Sequence, residues 1–326
     1  MLSLFRTNQA SAGFLLFFYA LLLQLPAWWA GAAPAADLPA GGIAGRWLMS
    51  WGSSTAWWSY LLPVVLVTVQ GIIANVLVTR HRMSRKITQF PGLFIVLCWA
   101  LVPAFRALHP LQAANVFVLL SLLSLGRVYK HAQPAVALFN GGAWLGLASL
   151  FHPPCLSLLP AFLIGIGTLR RPDFRSFLQF LTGTSVVFFL TFSLCYFIGT
   201  FQPALDLQFS GYGLWQWLPV PRHFRPGLAV LGLLLPVALF TYATTVRLLN
   251  IEGKKNVSIL LVLLLVTLGV TLLWSGGGWA GWQLILVPLG IIIGLRFILL
   301  QPKYAGIYHL LLLVTAVGPL LYAAFA

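Results

Sequence analysis

Acid is almost missing from this chain: its 326 residues include only four carboxylates, Asp37, Asp173, Asp206 and Glu252. Charged residues of both signs make up 7%, where a soluble domain carries about 25%. That is too few to solvate a globular surface, and it excludes a soluble enzyme and a disordered tail. Cysteine is scarce as well. Cys98, Cys155 and Cys195 lie inside apolar runs with no CxxC, so they read as small buried hydrophobes rather than redox or metal groups. No Asp, Glu or Lys falls near the centre of an apolar segment, which counts against ion-coupled transport.

Hydrophobic residues fill 60% of the chain, and its mean hydropathy is +0.95. Nineteen Lys and Arg produce a formal net charge of +15. They sit between apolar runs rather than along one exposed face, so no nucleic-acid partner is expected. The expected fold is all-α: one integral-membrane helical bundle over residues 1–326.

Eleven spans are predicted, at roughly 12–30, 56–78, 91–107, 111–126, 134–151, 155–169, 177–200, 227–249, 258–274, 282–300 and 307–325. Arg6 precedes the apolar run like the start of a signal peptide. That run continues to Trp29 and other spans follow, so an uncleaved first helix is expected. Spans three to six are short and paired, turning at Leu108-His109-Pro110 and His152-Pro153-Pro154, because proline cannot continue a helix. With the N-terminus in the cytoplasm, fifteen Lys and Arg fall on the cytoplasmic side. Only Arg46, Arg106, Arg222 and Arg225 fall outside. This bias sets orientation. Asp173 and Glu252 are expected to be charge partners in the basic loops. Gln70, Asn75, Asn140 and Gln179 are expected to bond between helices.

Two outer loops are long, near 31–55 and 201–226, and both are apolar enough to lie along the membrane surface. The rarer chemistry gathers on that side. Asp37, Asp206, His109, His152 and His223 are there with the four arginines. So are eleven of the thirteen tryptophans, Trp215 and Trp217 included. The tryptophans read as an interfacial belt or as platforms for sugar rings and lipid chains. Arg222-His223-Phe224-Arg225-Pro226 places two guanidiniums close together, suited to the phosphate oxygens of a lipid. An interfacial anchor that snorkels to lipid phosphates is the alternative, and Arg106 is open to the same two readings. Asp37 is a candidate general base or a plain loop acid. The histidines with Asp37 and Asp206 contain metal-ligand types, but they lack ligand spacing and HExxH is absent. No cofactor is therefore expected, with a divalent ion the lesser reading.

The order of long and short loops over residues 1–230 resembles the GT-C superfamily of membrane glycosyltransferases, with 231–326 as additional C-terminal spans. The resemblance rests on the 31–55 loop with Asp37, the hairpins around His109 and His152, and the 201–226 loop with Arg222 and Arg225. It implies an acceptor-activating base at Asp37. It also implies a polyprenyl-phosphate sugar held by Arg222 and Arg225, with His223, Arg106, His109, His152, Asp206, Trp215 and Trp217 nearby. The chain departs from the pattern where many such enzymes carry a second acid between helices three and four; here stand Arg106 and His109. The stretches Leu138-Phe139-Asn140-Gly141-Gly142, Phe151-His152-Pro153-Pro154 and Leu169-Arg170-Arg171-Pro172 also resemble a family of Bacteroidetes inner-membrane proteins. The leading expectation is an envelope transferase using a lipid-linked sugar, with membrane lipids as its surroundings. A non-catalytic subunit with membrane-protein partners is the alternative, and a lipid or small-molecule transporter comes third.

Overall fold

The computed structural model describes residue 5 and residues 11–29, 41–52, 56–129, 133–209, 220–273 and 278–325. Among these the secondary structure is entirely helical. The helices are α1 Ser11–Trp29, α2 Ile43–Gly52, α3 Ala56–Arg80, α4 Phe90–Leu101, α5 Pro103–Arg106, α6 Pro110–Gly126 and α7 Ala135–Phe151. There follow α8 Leu159–Leu169, α9 Phe174–Phe197, α10 Phe201–Phe209, α11 Arg225–Leu248, α12 Ile251–Leu273, α13 Leu286–Leu299 and α14 Pro302–Phe325. Tight 3-10 turns at Pro153–Leu158, Arg222–Phe224 and Gly278–Ile285 lead into α8, α11 and α13.

Helix occupies all eleven segments that hydropathy picks out, but five are long and apolar enough to cross a membrane. These are Trp57–Arg80, Phe174–Phe197, Arg225–Leu248, Ile251–Leu273 and Gly278–Leu299. Their surfaces carry side chains that water would not tolerate in such density: Phe189 is 70% exposed, Tyr196 71% and Phe197 85%. Such surfaces fit contact with lipid.

The centre of the bundle is α4, all twelve of whose residues are buried. Glycines let its neighbours close on it. A Cβ on Gly92 would lie 2.4 Å from the Gly71 carbonyl of α3, and one on Gly227 of α11 would lie 2.0 Å from the Leu101 carbonyl. The predicted continuous span at 91–107 is instead broken: Val102 is extended (φ −113°, ψ 123°) and Pro103 starts the separate turn α5. Proline cannot donate to the preceding turn, so the helix ends before it. At about 18 Å, α4 is shorter than a bilayer core. Irregular backbone at such depth is tolerable only when buried in protein and bonded by side chains.

Proline also restarts the chain at both predicted turns. Pro110 opens α6 and Pro153 opens the turn before α8, where the missing N–H is one that a helix does not use. Asp173 acts as the N-cap of α9, its side chain accepting from the Arg175 amide, instead of as the expected ion-pair partner. Of the four expected interhelical amides, Gln70 donates to the Gln112 carbonyl and Asn75 bridges Gln89 and Gly92. Asn140 is exposed.

Candidate functional site

Among the described residues, Trp28, Trp51, Trp57, Trp58, Trp279 and Trp282 share one end of the bundle with Arg106, His109 and His152, beside α2, α10 and the broken helix. Trp28 packs edge-on against Trp57 (4.9 Å between centroids) and stacks on Tyr60. Trp51 pairs with Trp58, and Trp279 with Trp282. The short helix α2, from the first loop, roofs the α6–α7 hairpin. The Gly42 amide donates to the Phe151 carbonyl, and a Cβ on Gly45 would lie 2.4 Å from that same oxygen. Gln208, from α10 of the second loop, bonds to both sides of this roof. Its Nε2 donates 2.7 Å to the Ser149 carbonyl, and its Oε1 accepts from the Ile43 amide. One buried amide thus ties the two long loops to each other.

His109 and His152 lie at this end in the turns of the two hairpins, both buried, with ring centroids 5.9 Å apart and edge to face. Nδ1 of His109 accepts from the Leu111 amide and caps α6. Burial pushes the His109 imidazole down to about 4. It pushes His152 down to about 3, with His109 adding to the effect. Two neutral rings therefore face each other. Nδ1 of His152 is buried without a hydrogen-bond partner.

Arg106 is only 1% exposed. Its guanidinium bridges three backbone carbonyls: Ala100 beside the break, Leu23 of α1 at 2.6 Å, and Ala316 of α14 at 2.5 Å. The surrounding amides serve the same break. Gln24 donates to the Arg106 carbonyl, Gln112 to Phe105 and Ala107, and Gln283 to Phe105. Asn115 holds Gln283 in turn through its carbonyl. The side-chain oxygens of Gln24, Gln112 and Asn115 remain buried and unpartnered, lone pairs available to a donor such as water.

The structure therefore divides the residues that sequence reasoning groups together. Arg106, His109 and His152 are all buried, and Arg106 and His109 bond to backbone, whereas Arg222, Arg225 and Asp206 are exposed. Asp206 accepts from Gln202, one helical turn away. Asp37, Trp215 and Trp217 lie outside the described residues, and of His223 only the backbone, in the Arg222–Phe224 turn, is described. Among the described residues no three His, Cys, Asp or Glu side chains come together as metal ligands.

Arg225 does reach a concavity. A groove of about 940 Å³ runs between α11 and α12, walled by Leu228, Leu235, Leu268 and Leu272, with Trp279 and Trp282 at one side. Arg225 lines its edge at the first turn of α11, where the helix dipole adds positive character. This is an apolar slot with a fork of N–H donors at one end. Among the described residues, Trp279 and Trp282 are the aromatics that line it. The amides around the break also escape motif reading; the only signal in the sequence is polar residues inside apolar runs. In comparisons with family models, curated proteins and solved structures, the chain matches none.

Proposed function

We propose that this is a multi-pass protein of the bacterial inner membrane that takes a polyprenyl-phosphate-linked sugar at its tryptophan-rich end and transfers the sugar, as a GT-C-like glycosyltransferase. The reading is supported above all by the groove that Arg225 lines beside Trp279 and Trp282. The eleven helical segments cross as eleven spans, with the N-terminus cytoplasmic and the tryptophan-rich end outside. The isoprenoid tail lies in the apolar slot and Arg225, with Arg222 one turn before it, meets the phosphate.

Asp37 takes the proton of the acceptor hydroxyl, whose oxygen then bonds to the anomeric carbon. The carbon–oxygen bond to phosphate breaks and the electron pair leaves with the phosphate, whose charge the arginines stabilise. The buried set Arg106, His109 and His152 holds the broken helix and the hairpins in shape behind the site.

A second reading, a non-catalytic subunit that holds a lipid for a partner, draws on the use of Arg106 and His109 as bonds to backbone. Purified protein incubated with a panel of polyprenyl-phosphate hexoses and pentoses separates the two, with release of polyprenyl phosphate as the readout. A transferase releases it, and Asp37→Asn abolishes the release while lipid binding persists. A subunit releases none with either protein.

A further inference from the structure

The end of the bundle opposite the tryptophans holds a second, unrelated groove. α1 and α3 run antiparallel, with Trp28 against Trp57 at one end and Gly13 facing Ile72 at the other. Gly71 and Gly92 draw α3 hard onto α4. Beside this contact, between the first turns of α1 and the last turns of α3, a groove of about 830 Å³ opens. Its apolar walls are Phe14, Phe18, Ile72 and Val76, all exposed. Asn75 lies in the lining with its amide already bonded to Gln89 and Gly92, so it asks nothing of a ligand.

Arg80, the last residue of α3, lines the same groove and is exposed. Arg82, Arg85 and Lys86 follow it, all exposed, and no acid occurs between residues 80 and 90. The basic end of the molecule gathers around this segment. A Cβ on Gly253 would lie 2.3 Å from the Arg82 carbonyl, and Lys255 reaches the Leu169 carbonyl.

We propose that this groove binds an anionic glycerophospholipid, an acyl chain lying along Phe14, Phe18, Ile72 and Val76 and the phosphodiester at Arg80. Charge selects the occupant. An arginine fork matches phosphate oxygens, and a basic cluster of this kind attracts anionic lipid at about 1 kcal/mol per cation. A zwitterionic lipid would bring its own cation against Arg82, Arg85 and Lys86. The proposal rests on Arg80 and is independent of the transferase reading, which rests on Arg225.

The test is native mass spectrometry of the full chain from detergent containing equal phosphatidylglycerol and phosphatidylcholine with identical chains. The wild type retains phosphatidylglycerol at least about fivefold over phosphatidylcholine, the equivalent of one such contact. Arg80→Ala brings the two to near parity. Gly13→Phe fills the groove and lowers retention of both lipids; a Cβ there meets only Ile72 Cδ1, at 3.8 Å, so the backbone need not move. If Gly13→Phe fails to fold, Arg80→Gln decides in its place. Parity in the wild type overturns the proposal. So does a preference that survives the Arg80 substitutions, since the attraction then belongs to diffuse surface charge.

Discussion

Nη2 of Arg106 donates to the carbonyl of Ala316, 2.5 Å away and 210 residues along the chain. With Leu23 and Ala100 as its other acceptors, this one guanidinium joins α1, the break after α4, and α14. Buried hydrogen bonds to a charged group contribute about 1.5–3 kcal/mol each, and carbonyls left bare cost more. Arg106→Met should therefore lower stability by at least about 3 kcal/mol, read by thermal unfolding in detergent. Arg106→Lys should also destabilise, because an ammonium cannot span three carbonyls as a planar fork does. Full stability with lost lipid retention would instead mark Arg106 as a ligand-binding residue.

The paired histidines make stability depend on pH. Burial holds His109 down to about 4 and His152 to about 3, whereas an unfolded chain titrates near 6.5. The unfolded state therefore binds more protons as the solution is acidified. The stabilisation is complete above about pH 6.5 and drains away as pH falls toward the folded values. At pH 5 the loss is about 1–2 kcal/mol per histidine. His109→Gln/His152→Gln should show a shallower fall in melting temperature between pH 7 and 5. Some fall should remain, because burial also pushes His81 down to about 4. An unchanged slope in the double variant would contradict the assignment.

Helices α7 and α9 touch backbone to backbone. A Cβ on Gly142 would lie 1.9 Å from the Phe180 carbonyl, and one on Gly183 2.1 Å from the Phe139 carbonyl. Gly142→Ala should cost about 1–3 kcal/mol by overpacking. Gly167→Ala, where a Cβ meets nothing within 4 Å, should gain about 0.5–1 kcal/mol. Chemical denaturation of the two variants side by side checks the contrast.

The groove beside Arg225 can be blocked without disturbing the fold. Gly232 lines it, and a Cβ there also has open space around it. Gly232→Trp should leave the melting temperature within a few degrees of the wild type while reducing retention of polyprenyl phosphate at least tenfold. Retention equal to that of the wild type would place the tail elsewhere.

Much of this architecture is legible in the sequence because proline and charge speak locally. Pro110 and Pro153 turn the chain where they must, and the arginine and lysine runs mark one set of helix ends. The break at Val102–Pro103 is hidden because Pro103 sits in an otherwise uninterrupted apolar run. Arg106 reads as an outer arginine because spacing along the chain does not tell which way a side chain turns. Its burial depends on carbonyls supplied from residues 23 and 316. The partnership of Arg225 with Trp279 and Trp282 is hidden for the same reason: it joins segments more than 50 residues apart.

The proposed function requires that the arginine end of the second long loop hold a lipid phosphate. Native mass spectrometry of the protein purified in mild detergent, beside an Arg222→Ala/Arg225→Ala double variant, tests it most directly. A co-purifying polyprenyl phosphate or sugar-linked lipid is expected in the wild type, lost from a double variant that still unfolds at the same temperature. The same lipids in both proteins, or none in either, would contradict it.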